Sequence, residues 1–162
     1  MNPSITIEEE TNVSKTENQN NVMYIYINHD SPLKLKCSID SQLPHIKGHV
    51  HSCKWTESYE DEVLRRCTAQ YARNSTHSDD EKVVICEVIK TNTNNRTIEY
   101  RKESKIHNEQ KHSCILEVSP GNLTIRTGWV TWGCSFNECE NYKCLKENSC
   151  TVKATIKVFV SI

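Results

Sequence analysis

An all-β sandwich of two sheets, stapled by disulfides, is the fold class this sequence predicts, and three observations predict it. Apolar residues recur with a period of two in short runs across residues 22–162, and no stretch carries a sustained 3.6-residue stripe. Polar, turn-forming segments separate the runs, which is the spacing of a sandwich rather than of alternating strands and helices. Nine cysteines occur in 162 residues, a density typical of disulfide frameworks in oxidising compartments.

Composition explains the need for crosslinks. Apolar residues make up 36% of the chain, less than is usual for a globular domain. A core of modest size results, and bridges that restrict the unfolded chain add the missing stability. The formal net charge is −1; that excludes a whole-chain field drawing the protein to nucleic acid or an anionic membrane. The length suits one domain, or one domain with a tail.

The elements follow in order. Residues 1–21 are polar and rich in Asn, Glu and Thr; Ser4 to Ile7 alternates as a candidate first strand, and Glu8 to Asn21 reads as a flexible loop. The domain proper is expected over 22–162. Strands are predicted at Met23–Ile27, Leu33–Ile39, His49–Thr56, Val83–Ile89, Thr97–Arg101, Ser113–Ser119, Gly128–Phe136 and Thr151–Ile162. Within them Leu35 and Cys37 share a face, as do Cys53 and Trp55, then Cys114, Leu116 and Val118, then Val130, Trp132 and Cys134. Glu57 to Arg66 reads as a short helical turn without an apolar face. The last strand runs to the final residue, which suggests further chain beyond it.

The compartment is read from two signals. The cysteines are one, and four sequons at Asn12, Asn74, Asn95 and Asn122 are the other. Asn74 and Asn95 fall in polar loops and are expected to carry glycans on secretion. The start, Met1 to Ile5, lacks the basic and apolar regions of a signal peptide, so a mature form or a fragment is expected. Secretion or display on the cell surface is the localisation these features predict.

Four local motifs carry a resemblance. They are Leu35-Lys36-Cys37, Cys53-Lys54-Trp55, Leu116-Glu117-Val118 and Trp132-Gly133-Cys134. In this order the chain resembles the immunoglobulin superfamily, with the four motifs in the places of strands B, C, E and F. The resemblance spans about residues 22–162 and is strongest to divergent secreted invertebrate or viral members. It implies a two-sheet Greek-key sandwich, a Cys37–Cys134 bridge and Trp55 packed on that bridge. The chain departs from the family pattern in having Trp132 where Tyr is usual and Gly128 near the place of a corner Asp. Strands C and E lie in opposite sheets of this fold, so core-facing Cys53 and Cys114 are expected to form a second bridge. Cys67 and Cys86 flank a polar loop, Tyr71 to Glu81, and are expected to pair as a staple across this excursion between strands C′ and D. Of Cys139, Cys144 and Cys150, a Cys139–Cys150 pair is preferred. That leaves Cys144 as the odd thiol, a candidate for a disulfide-linked dimer.

Chemistry is sparse. No C-x2-C pair, nucleophile elbow, H-E-x-x-H or phosphate loop occurs. His45, His49, His51 and Cys53 form an H-x3-H-x-H-x-C cluster that could offer metal ligands. The simpler reading, ordinary polar residues at a strand start, is preferred, and neither metal nor cofactor is predicted. Arg101, Lys102, Lys105, His107, Lys111 and His112, with Arg65 and Arg66 nearby, could hold a glycosaminoglycan. Glu99, Glu103 and Glu109 interleave, so a solvated loop between strands D and E is preferred.

The connection between strands F and G carries the aromatic and apolar side chains Phe136, Tyr142 and Leu145, with Lys143 and Lys146 beside them. These are the expected contacts for a partner protein, with the lysines at the rim. The sequence therefore predicts an extracellular recognition module without catalysis: a receptor ectodomain, adhesion domain or secreted decoy. A secreted cysteine-rich inhibitor or effector is the alternative.

Overall fold

Two sheets lie face to face, and the alternation along each strand decides which side chains enter the space between them. The computed structural model describes residues 3–41, 49–71, 82–88, 96–104, 110–139 and 151–162. Among these are eleven strands and no helix. In chain order they are β1 Ser4–Ile7, β2 Val13–Gln19, β3 Val22–Asn28, β4 Leu33–Ser41, β5 His49–Tyr59 and β6 Glu62–Tyr71. There follow β7 Lys82–Val88, β8 Arg96–Ser104, β9 Gln110–Val118, β10 Gly128–Cys139 and β11 Thr151–Ser161.

The small sheet has four strands in the order β1-β4-β9-β8, and the large sheet has seven in the order β2-β3-β11-β10-β5-β6-β7. Every pairing is antiparallel except β3 with β11. The all-β, two-sheet fold class read from the sequence is the architecture found.

The core lies between the sheets. Ile25, Ile27, Leu35, Trp55, Leu116, Val130, Trp132, Phe136, Ile156 and Val158 are all buried there. Two disulfides cross it. Cys37 joins Cys134 with Cα atoms 6.4 Å apart, and Cys53 joins Cys114 at 6.0 Å, both inside the span a disulfide allows. Cys37 and Cys114 face each other across β4 and β9. Trp55 is buried beside them and donates its indole N–H to the Cys114 carbonyl at 3.1 Å, so its polar atom is satisfied inside the core. These bridges fit an oxidising compartment.

A buried charge cluster closes the end of the core away from the bridges. Glu57 is 1% exposed and lies 3.5 Å from Arg65 Nε and 3.4 Å from Arg96 Nη2. Arg96 also donates to the Asn122 carbonyl at 2.7 Å and to Thr124 Oγ1 at 2.9 Å. Burial first, and the neighbouring Arg96 second, pull Arg65 below the usual arginine range, while Glu57 opposes them. The cluster ties β5, β6 and β8 to the segment after β9.

That segment turns where its sequence allows. Asn122 N–H bonds to the Ser119 carbonyl at 3.2 Å across Pro120-Gly121, and Gly121 takes φ of 77°, the arrangement of a type II turn. Gly128 starts β10 at φ of 143°, and a Cβ there would meet the Tyr59 ring at 3.0 Å. Only glycine suits both demands.

Four expectations are corrected. Residues 8–21, expected as a flexible loop, contain β2, whose hairpin with β3 turns at Asn20-Asn21 with φ of 51° and 63°. Thr11 anchors the approach to it: its hydroxyl lies 2.7 Å from Lys34 N–H and 3.1 Å from the Lys34 carbonyl. Residues 57–66, expected as a helical turn, form a β5–β6 hairpin around Glu60-Asp61, both at positive φ. Two-residue hairpin loops need that conformation, and Glu-Asp lacks the Asn-Gly signature that would have announced it. The basic stretch 101–112 is not a single solvated loop. Arg101 and Lys102 lie on β8, and Lys111 and His112 on β9. Finally, Phe136 is fully buried and offers no contact surface.

Candidate functional site

Where neighbouring strands are in register, outward side chains fall into rows. On the large sheet the inward positions are Ile25 and Ile27, Cys53 and Trp55, Val130 to Phe136 by twos, and Ile156 to Val160 by twos. The residues between them face out. Trp129 pairs with Phe159, and Phe159 with Tyr26. One row therefore carries three aromatic rings across three strands. Tyr24 stands in the next row, opposite Lys157.

These rings form one packed cluster. Trp129 lies 5.6 Å from Tyr24, 5.3 Å from Tyr26 and 5.1 Å from Phe159, with interplanar angles of 87°, 69° and 63°. Such edge-to-face contacts suit the ring quadrupoles. Lys15 reaches to 5.4 Å above Tyr26, and Lys157 to 5.9 Å above Tyr24, within the range of cation–π attraction. Glu17 bonds to Lys15 at 2.8 Å, and that bond, with its charge, holds Lys15 above the usual lysine range. Trp129 is 38% exposed, while the other three rings are half-buried. It is the most exposed aromatic ring among the described residues.

The cluster has no place in the core, because Trp129, Tyr24, Tyr26 and Phe159 all point away from it. The sequence reading overlooked these four residues, yet the signal was there. Each is a large apolar side chain standing out of phase with inward neighbours: Trp129 against Val130, Tyr24 and Tyr26 against Ile25 and Ile27, and Phe159 against Val158 and Val160.

Tyr142, Lys143, Leu145 and Lys146 lie outside the described residues, as do Cys144, Cys150, Asn74, Asn95, His45, Lys105 and His107. Cys139 is the last residue of β10. Cys67 is disulfide-bonded, and the ladder sets Cys86 directly opposite it. Asn12 is exposed just before β2; Asn122 is half-buried in its turn, its side chain donating to the Pro120 carbonyl at 3.2 Å.

His49 and His51 are on β5, and Cys53, the fourth member of that cluster, is committed to its bridge. No three His, Cys, Asp or Glu side chains gather as a metal site among the described residues. In the basic stretch, Arg101 is held by Glu99 through contacts of 2.8 and 3.1 Å. His112 is buried, 2.6 Å from the Tyr100 hydroxyl.

The strand ends have a consistent polarity. Ser41, Ser104 and Gln110 share one end of the small sheet; His49, Tyr71, Lys82, Cys139 and Thr151 share one end of the large sheet. Trp129 and Phe159 sit towards the opposite end of the large sheet, beside the strand ends Tyr59 and Asn28. The aromatic cluster and Cys139, the last residue of β10, thus lie towards opposite ends of that strand.

In comparisons with known proteins, the chain matches no family model and no curated protein.

Proposed function

We propose that the protein is an immunoglobulin-like recognition module that works outside the cell and binds a protein partner without catalysis. One observation carries the reading: Trp129 stands exposed at the centre of an aromatic cluster on the outer face of the large sheet. Rigid aromatic side chains, ringed by polar groups, are where binding energy concentrates at protein interfaces. The cluster needs little ordering on association, because its rings already brace one another.

The strand order supports the family part of the reading. A small sheet ordered β1-β4-β9-β8 corresponds to A-B-E-D, and β11-β10-β5-β6-β7 corresponds to G-F-C-C′-C″, the variable-type arrangement. Strand β3 adds to G in parallel, and β2 extends the sheet beyond it. The disulfides and the four sequons support a secreted or cell-surface setting.

The test is an interaction screen of the secreted protein against extracellular proteins, followed by titration of the partner found. Trp129→Ala should weaken that partner by about 2 kcal/mol or more. Joint alanine substitution of Tyr142 and Leu145 should change affinity little. If the loop variant loses binding and Trp129→Ala does not, the contact surface is the F–G connection.

A further inference from the structure

Beyond the aromatic row, the outer face of the large sheet changes character: across β6, β5, β10 and β11 the charged residues in its polar rows are all basic, and Glu87 on β7 stands opposite Arg66 at their edge. One row runs Arg66, Thr56, Gly133, Thr155; the next runs Thr68, Lys54, Ser135, Lys153. Lys157 lies opposite Thr131 in the row beside the rings. Lys54, Arg66, Lys153 and Lys157 make no ion pair among the described residues. Of the acids on this face, Glu17 is held by Lys15 at 2.8 Å, and Glu87 lies at the β7 edge opposite Arg66. A chain of net charge −1 thus gathers three cations, Lys54, Lys153 and Lys157, on one surface with no acid opposite them in the ladders, and Arg66 at its edge towards Glu87.

Spacing and chemistry narrow the occupant. Lys54 and Lys153 flank Ser135 in one row, two strand spacings or about 10 Å apart. Lys153 and Lys157 stand about 13 Å apart along β11. Between the cations are hydroxyls and Gly133, whose missing Cβ leaves an open floor with Thr155 Cγ2 3.8 Å away. From β6 to β11 the two rows hold no apolar residue; Ile85, on β7 opposite Thr68, is the first they meet. None of the four sequon asparagines belongs to these rows. Charge at intervals, hydroxyls between and a flat, open floor suit a hydrated linear polyanion. We infer that these rows bind a sulfated glycosaminoglycan, lying across β6, β5, β10 and β11. The site is separate from the aromatic row, and it is not the Arg101–His112 stretch, where Glu99 holds Arg101 and His112 is buried.

The probe is a heparin dodecasaccharide, titrated into the secreted protein at low and moderate salt. Wild type should bind, more weakly as salt rises. The double variant Lys54→Glu with Lys153→Glu should bind roughly tenfold more weakly or worse, with an unchanged thermal midpoint. Gly133→Glu, which places a carboxylate on the open floor, should weaken binding in the same direction and guards against a misfolded double variant. Trp129→Ala and Arg101→Glu should leave heparin binding unchanged, so this inference and the protein-partner reading fail separately. Unaltered binding by both acidic variants would overturn the inference, as would loss of binding in Arg101→Glu. Equal binding of fully desulfated heparin would also refute it. Displacement of heparin by poly-glutamate at equal charge would move the assignment to an acidic protein. Equal, Lys54-dependent binding of phosphatidylserine vesicles would move it to a membrane surface.

Discussion

Strand β10 has two faces with opposite occupations. Inward it presents Val130, Trp132, Cys134 and Phe136, all at most 2% exposed. Outward it presents Trp129, Thr131, Gly133 and Ser135, exposed or half-buried. One alternating strand thus divides the work. The inner residues hold the sheets together, and the outer ones are free to meet another molecule. The contrast teaches that an aromatic side chain on this strand faces solvent or the core according to its parity, not its distance from a loop.

Substitutions should separate the faces sharply. Removing the Cys37–Cys134 bridge by serine at both positions should have the largest effect. The bridge spans 97 residues of sequence, and a loop of that size gives about 4–5 kcal/mol in the chain-entropy account. A urea titration of the purified variant would measure it, and failure to secrete folded protein would agree. Phe136→Ala comes next, at about 3–5 kcal/mol, read as a lower denaturation midpoint with an unchanged slope. A loss below about 1 kcal/mol would mean that Phe136 is not packed between the sheets. On the outer face, Gly133→Ala should do the reverse and stabilise by about 0.4–1 kcal/mol. The new methyl meets ordinary contact at 3.8 Å, and the unfolded chain loses freedom. A destabilised Gly133→Ala would place this residue against something the outward reading omits.

The same parity decides how much was legible in the sequence. Strands with clean alternation, such as Leu33 to Ile39 and Ser113 to Ser119, were read within a few residues of β4 and β9. The Cys37–Cys134 bridge is what the resemblance to the immunoglobulin pattern implies, and Cys53–Cys114 follows from the core-facing parity of both cysteines on strands that the resemblance puts in opposite sheets. Strand β2 was not legible, because Val-Ser-Lys-Thr-Glu-Asn-Gln is an edge strand with little buried surface and so no alternation to see. The β5–β6 turn was missed because Glu60-Asp61 adopts a left-handed conformation without Gly or Asn. Phe136 is an expected contact only while its parity is ignored, since the alternation that turns Trp132 and Cys134 inward turns Phe136 inward too. The buried Glu57–Arg65–Arg96 cluster joins residues 39 apart in sequence, and no local pattern announces such a pairing.

The three tryptophans provide the most direct test of a free, binding outer face. Trp55 and Trp132 are 1% and 2% exposed, and Trp129 is 38% exposed. Oxidative labelling of the folded protein, read residue by residue by mass spectrometry, should modify Trp129 first and leave Trp55 and Trp132 intact until the protein unfolds. Adding the protein partner should protect Trp129. A Trp129 that resists labelling in the free protein, or that labels equally with the partner bound, would contradict the account.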